Sequence, residues 1–151
     1  MLGRDKSGVY EHGMNGKSIF LFMISVICPI YNEERYIGKC IESIMRQNYP
    51  KEDMEVLFVD GMSTDRTRAI IAGYLPQCPY VRVLDNPKRI VPYAMNKGIE
   101  EAKGEVIIRI DAHTYYERNY FSALVRRLYE LGADDVGAVC KTDVLNKTPK
   151  T

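Results

Sequence analysis

The sequence predicts an α/β protein, a doubly wound, mostly parallel sheet with helices on both faces in a Rossmann-like layout. Three observations predict it. Short Val- and Ile-rich runs alternate with segments of helical period. The runs show little apolar–polar alternation, as strands covered on both faces do. Pro, Gly, Asn and Asp punctuate the junctions between them.

The elements follow in order. Residues 1–18 are polar and Gly-rich without strand or helix period, which predicts a disordered leader or tag. The folded unit is expected over 19–142, and 143–151 as a frayed polar tail. Runs at 24–28, 55–59, 81–84, 106–110 and 136–140 have strand length. Ile37, Cys40, Ile41, Ile44 and Met45 form the first helical stripe, and Ile70, Ile71, Tyr74 and Leu75 a shorter second one ended by Pro76. Val91, Ala94, Met95, Gly98, Ile99 and Ala102 form the third, and Phe121, Leu124, Val125, Leu128 and Leu131 the fourth. Asn32 is placed to cap the first helix, with Glu33 and Glu34 in its first turn; Ser63 and Asp65 are placed to cap the second. Pro92 suits the first turn of the third helix. Gly98, on that helix's buried stripe, predicts close approach to the sheet, while Gly104 and Gly132 predict helix stops.

Composition bounds the function classes. A length of 151 residues suits one domain burying roughly 68–70% of its unfolded surface. With 21 Lys and Arg against 20 Asp and Glu, there is no basic excess to bind nucleic acid. The longest apolar stretch spans 12 residues (19–30) and is broken by Ser25 and Pro29, too short to cross a membrane, so a soluble protein is expected. Cys28, Cys40, Cys78 and Cys140 show neither C-x-x-C nor zinc spacing, and predict reduced thiols in a cytoplasmic protein.

In such a sheet, ligands bind at the carboxyl ends of the strands near the switch point. The residues delivered there are 29–33 after the first strand, 60–65 after the second, 85–89 after the third and 111–113 after the fourth. All are rich in acids and hydrogen-bonding groups, which favours a polar, metal-assisted phosphate ligand. No G-x-G-x-x-G and no G-x-x-x-x-G-K-[ST] is present, which argues against a dinucleotide enzyme and a P-loop NTPase. A proline anchors the first turn instead, where Tyr31 is placed to stack on a base, and the phosphates would be held by a cation.

At these residues the sequence resembles a known family. Ile24-Ser25-Val26-Ile27-Cys28-Pro29-Ile30-Tyr31-Asn32-Glu33-Glu34 resembles the opening of family 2 glycosyltransferases of the GT-A fold. Val59-Asp60-Gly61-Met62-Ser63-Thr64-Asp65-Arg66-Thr67 resembles their V-D-D-G-S-T-D-x-T turn. Residues 96–105 resemble their N-x-G-I-x-x-A-x-G-E helix, and Asp111-Ala112-His113 stands at their D-x-D element. With Asn86-Pro87-Lys88-Arg89, the sequence is most similar to the subset that builds bacterial exopolysaccharides such as succinoglycan. The resemblance implies that Pro29, Tyr31, Glu33 and Asp60 hold a nucleobase, usually uracil. It implies that Asp111 contacts the ribose, and that Asp111 and His113 hold a divalent cation, Mn²⁺ or Mg²⁺. The reaction implied is inverting transfer from a nucleotide-sugar to a glycan or lipid-linked acceptor, with peripheral membrane association of a full-length protein.

Two departures alter the site. Gly61 replaces the second aspartate of the D-D-G turn and Met62 its glycine. His113 replaces the last aspartate of D-x-D, which favours Mn²⁺ over Mg²⁺ or leaves the imidazole to hydrogen-bond the diphosphate. The family's general base lies well beyond D-x-D, whereas 38 residues follow His113 here, so the expectation is a truncated donor-binding half with no catalytic base to name. Plainer roles stand beside these. Asp60 and Asp65 suit turns and caps, and Glu33 suits a helix dipole. Tyr115, Tyr116 and Tyr120 suit packing, with Tyr115 near enough to touch a sugar. Arg109, inside an apolar strand, must reach the surface or pair with a carboxylate. Lys88 and Arg89 suit either a solvated loop or a diphosphate. The competing class is a non-catalytic nucleotide- or partner-binding module with a degenerate metal site.

Overall fold

The structure, a computed structural model, describes residues 3–4, 9–12, 17–20 and 22–130. The two most apolar runs become its central strands, β4 (Ile24–Ile30) and β5 (Met54–Asp60). They pair in parallel from Ile24↔Met54 to Ile30↔Asp60. Strand β6 (Val81–Asp85) lies on the far side of β5, and β7 (Val106–Arg109) on the far side of β4. The order β6-β5-β4-β7 reverses direction between β4 and β7, and that is the switch point where a ligand crevice opens.

Strand β4 runs two residues beyond the expected end, through Pro29. The ladder geometry explains why a proline fits. Ile27 accepts from Ile110 N–H on the β7 side, and Ile30 accepts from Gly61 N–H on the β5 side. Pro29 shares the parity of Ile27, so its missing N–H faces the β7 side, beyond the last pair Ile27↔Arg109.

Alternate residues of β4 and β5 feed two cores. Val26, Cys28, Val56 and Phe58 pack with α1 (Ile37–Met45), α2 (Thr67–Tyr74) and α4 (Tyr120–Glu130) through Ile37, Ile41, Ile44, Ile71, Phe121 and Val125. Ile27, Leu57 and Val59 pack with Ala94 of α3 (Val91–Glu101) on the opposite face. Cys28, Cys40 and Cys78 are buried free thiols. Among the described residues, no helix is long and apolar enough to cross a membrane.

Three expectations change. The predicted buried stripe of α3 narrows to Ala94 and Gly98, leaving Val91 41% and Ile99 47% exposed. Contact through two small residues brings the helix axis close and turns its flanks outward; a Cβ on Gly98 would lie 2.7 Å from Ile27 Cγ2. Gly104 is not the helix stop. The helix ends at Glu101, and Gly104 passes so close to β4 that a Cβ would lie 2.6 Å from the Ser25 nitrogen. Finally, the disordered leader is corrected in part by three antiparallel strands, β1 (Gly3–Arg4), β2 (Val9–His12) and β3 (Lys17–Phe20). Their register sets Val9 opposite Phe20 and Tyr10 opposite Ile19, residues of high strand propensity that a search for periodicity overlooks. The expected strand at 136–140, the stop at Gly132 and the tail at 143–151 lie outside the described residues.

Buried polar groups pin the amino edge. Ser25 Oγ donates to Glu55 Oε2 at 2.5 Å, the Lys103 N–H donates to the same oxygen at 2.6 Å, and Gly104 N–H donates to Ser25 Oγ at 2.8 Å. This clamp fixes the α3–β7 connection against the centre of the sheet. Gly104→Ala is expected to destabilise by about 1–3 kcal/mol through overpacking against the backbone. Gly73→Ala, in α2 with nothing within 4 Å of the added Cβ, is expected to stabilise by roughly 0.5–1 kcal/mol. Urea denaturation of the two variants measures both signs.

Candidate functional site

At the carboxyl edge the ladder stops, and the peptide groups of the following turns need partners. Asn32 supplies them. It sits at φ 50°, a left-handed conformation that asparagine tolerates. Its Oδ1 accepts the Thr64 N–H at 2.8 Å and the Asp65 N–H at 3.3 Å. Its own N–H donates to Ser63 Oγ at 2.8 Å. The neighbouring bonds run the same way: Glu33 N–H to Thr67 Oγ1, Glu34 N–H to Asp65 Oδ2, and Arg66 N–H to Glu34 Oε1. The turn after β4 is thereby joined to the turn after β5. Asn32 is not the cap of α1, which begins at Ile37 with no side-chain cap. Asp65 does keep a capping role, accepting the Thr67 N–H at 2.9 Å.

Asp60 lies beneath this junction with no exposed surface. Its carboxylate accepts the Ser63 N–H, the Ser63 hydroxyl at 2.6 Å and Arg68 Nη1 at 2.9 Å. Arg68 continues to Asp85 Oδ1 at 2.8 Å, tying the ends of β5 and β6 together. Asp60 therefore holds the turn through Ser63 and ties it to Arg68. Above it, Arg89 lies over the ring of Tyr31 at 4.5 Å and donates through Nε to the Gly61 carbonyl. That packing explains the first departure. A Cβ at Gly61 would come within 3.0 Å of Arg89 Cγ and 3.3 Å of Arg89 Cα, so an aspartate there would require Arg89 to yield by a few tenths of an ångström.

Across the switch point, Glu33 and His113 meet. His113 Nε2 lies 2.9 Å from Glu33 Oε1, and His113 Nδ1 lies 3.8 Å from Asp111 Oδ1. The Tyr36 ring meets the imidazole edge-on, with centroids 4.7 Å apart. Asp111 is fixed from below by Tyr116, whose hydroxyl accepts the Asp111 N–H at 2.9 Å, and its Oδ1 accepts the His113 N–H at 2.8 Å. Burial pushes the Tyr116 phenol well above its ordinary range, so it stays protonated. Burial also raises the Glu33 carboxyl, an effect opposed by His113 and reinforced by Asp111 and Asp65.

The structure thus brings Glu33, Asp111 and His113 together, sets Tyr31 beside them under Arg89, and leaves Pro29 within β4 and Asp60 one layer down. Tyr116 is a packing residue, while Tyr115 is 60% exposed and bonded to Arg46 through its hydroxyl. Asn32 as a cross-link escapes sequence reasoning because its partners lie 31 to 33 residues on, and Arg68, eight residues from Asp60, because no motif marks it as that partner. Among the described residues, no group of three or more His, Cys, Asp and Glu side chains is arranged to hold a metal ion. Asp111 is 44% exposed at its side chain, and with His113 it offers two donors. That set suits a cation taking its remaining ligands from water or a diphosphate.

Residues 25–150 match the family described as Glycosyl transferase family 2. The chain belongs to that family. Among family 2 relatives, it is 34% identical over 126 residues to a dolichyl N-acetyl-alpha-D-glucosaminyl phosphate 3-beta-D-2,3-diacetamido-2,3-dideoxy-beta-D-glucuronosyltransferase of Methanococcus voltae, covering 82% of this chain and 39% of that protein. It is 37% identical over 119 residues to the succinoglycan biosynthesis protein ExoA of Rhizobium meliloti, covering 78% of this chain and 36% of the relative. The chain therefore spans less than two fifths of these relatives. Among solved glycosyltransferase structures, a mannosyltransferase from Pyrobaculum calidifontis in complex with GDP-Man and Mn²⁺ superposes with a TM-score of 0.68 at 28% identity, over 71% of this chain and 32% of that one. S. aureus TarS in complex with UDP-GlcNAc gives 0.64 at 28% identity, over 71% of this chain and 31% of that one. The GT-A fold expected from the motifs is the fold observed.

The raised Glu33 carboxyl has a consequence for stability. It binds its proton more tightly folded than unfolded, so its contribution is fully present below the ordinary glutamate range and is lost as pH rises through the raised value. Glu33→Gln is expected to stabilise the fold relative to wild type at neutral pH, with the difference shrinking in acid; denaturation at both pH values measures it.

Proposed function

We propose that this region binds the donor of an inverting glycosyl transfer, a nucleotide-sugar and specifically a UDP-sugar, destined for a glycan or lipid-linked acceptor. The observation that carries the reading is the meeting of Glu33, His113 and Asp111 across the β4–β7 switch point, where the fold concentrates its ligand chemistry. The nucleotide-sugars in the two superposed glycosyltransferases support the donor class.

Each residue has a distinct part. Tyr31 offers a ring for the base, and Arg89 shelters that ring while bringing positive charge to the edge. Asp111, aimed by Tyr116 and by the His113 N–H, faces the ribose and, with His113, would hold a divalent cation. Such a cation, when bound, offsets charge developing on the departing diphosphate. Glu33 holds the imidazole in place, and its own position is fixed by Thr67 Oγ1 accepting its N–H at 2.7 Å. The base that deprotonates the acceptor is assigned to no described residue.

A second reading, a nucleotide-binding module without catalysis, is favoured by one contact: Glu33 engages His113 Nε2, which leaves only Nδ1, 3.8 Å from Asp111 Oδ1, for a cation. Thermal unfolding with UDP, UDP-GlcNAc, GDP-Man or CTP, in Mn²⁺ or EDTA, separates the two. The donor reading expects UDP with Mn²⁺ to stabilise, by about 2.7 kcal/mol at a hundredfold excess over Kd, and Asp111→Ala to abolish the effect. Stabilisation unchanged by EDTA supports the module. Indifference to every nucleotide overturns both, and a preference for GDP-Man moves the donor from uracil to guanine.

A further inference from the structure

Strand β6 ends in a turn held by internal bonds. Asn86, 5% exposed, donates its N–H to the Asp60 carbonyl at 2.7 Å and its side-chain amide to the Ile90 carbonyl at 3.1 Å. These bonds fix the 86–90 loop between the end of β5 and the start of α3. A cavity of about 370 Å³ opens outside that loop, against one face of α3. Tyr93, Asn96, Lys97 and Glu100 wall it at the helical spacing i, i+3, i+4 and i+7, while Asp85 and Lys88 wall it from the strand end and the loop. It is separate from the crevice between β4 and β7. Strand β5 intervenes, so β6 lies two strand spacings, about 10 Å, from β4.

The lining is polar, mixed in charge and largely unpaired. Among the described residues, the side chains of Asn96, Lys97 and Glu100 meet no hydrogen-bond or ion-pair partner, although Lys97 and Glu100 stand three apart on one helix. Asp85 gives one carboxylate oxygen to Arg68 at 2.8 Å and keeps the other. Tyr93 is 44% exposed, and Lys88 Nζ, 4.5 Å over its ring, steadies one face of it. The cavity thus offers ammonium donors, carboxylate acceptors and an amide that does both, beside an aromatic ring. Two acids against two lysines leave no net charge to draw an anion or a cation. A wholly apolar ligand would leave these groups desolvated and without partners. What satisfies the array is a molecule whose hydroxyls both donate and accept and whose C–H face lies on a ring, which is a saccharide. The volume is at the lower end for small-molecule sites and suits one or two sugar rings.

We propose that this cavity is a second carbohydrate site, taking a neutral mono- or disaccharide unit of a glycan apart from the donor crevice. Tyr93 supplies the stacking surface, Asn96 and Glu100 engage neighbouring hydroxyls, and Lys88 and Lys97 donate to sugar oxygens. A glycan seated there is held beside the carboxyl edge while the switch point stays free. The site needs no nucleotide, so it stands or falls independently of the reading above.

Titration of the isotope-labelled full chain with cellobiose and with N,N′-diacetylchitobiose, followed by backbone amide shifts, tests it. At millimolar concentration at least one disaccharide is expected to shift residues 85–88 and 93–100 and to leave 31–34 and 111–113 unmoved. Tyr93→Ala is expected to weaken binding about tenfold and Tyr93→Phe to retain it, because the ring is the platform. Asn96→Ala is expected to weaken it severalfold. Both positions are exposed, so Tm is expected to hold in each variant. Glycine betaine and inorganic phosphate stand for zwitterionic and anionic ligands, and neither is expected to shift these residues. The proposal is overturned if neither disaccharide shifts 85–100, if the shifts fall at 31–34 and 111–113 instead, if Tyr93→Ala binds like wild type, or if betaine or phosphate gives the same shifts.

Discussion

The edge of this sheet is organised by the side-chain amide of Asn32. Parallel strands end in peptide groups whose ladder partners have run out, and those groups must be satisfied before anything can be displayed above them. Asn32 answers for two N–H groups of the neighbouring turn and donates its own to Ser63. Ser63, held there, reaches down to Asp60, and Asp60 reaches through Arg68 to Asp85. The ends of three strands thus form one hydrogen-bonded unit. Glu33, the next residue along, inherits a fixed direction and meets His113.

The other half of that meeting is arranged at the opposite edge. His113 arrives beside Glu33 because β7 pairs with β4 in a set register, from Ile24↔Val106 to Ile27↔Arg109. That register is held where the chain enters β7, by the carboxylate of Glu55 and the hydroxyl of Ser25 receiving the N–H groups of Lys103 and Gly104. A buried glutamate far from the ligand edge therefore helps aim a histidine on it. Polar residues inside apolar strands read as anomalies along the sequence; here they are register pins.

The fold was legible because parallel strands and amphipathic helices leave periodic traces, and residues 24–28, 55–59 and 37–45 carry them strongly. The ligand edge was legible through its composition, and Glu33, Asp111 and His113 do converge. Legibility failed where contacts join remote segments or close a turn without leaving a periodic trace. The Asn32 cross-link depends on Thr64 and Asp65 and the narrow seat of α3 on Ile27 beneath Gly98, while the burial of Asp60 depends on Ser63 and Arg68, three and eight residues on. In the leader, the strands at 9–12 and 17–20 rest on backbone pairing that asks no periodicity of the side chains.

The contact between Gly61 and Arg89 has a consequence for the stack over Tyr31. The two positions press on one volume: a Cβ at 61 would meet the Arg89 Cγ at 3.0 Å and its Cα at 3.3 Å. Any side chain at 61 therefore requires the loop at Arg89 to yield by a few tenths of an ångström, and with it the guanidinium that lies over Tyr31. The bare backbone at 61 is thus part of what seats the arginine on the tyrosine ring.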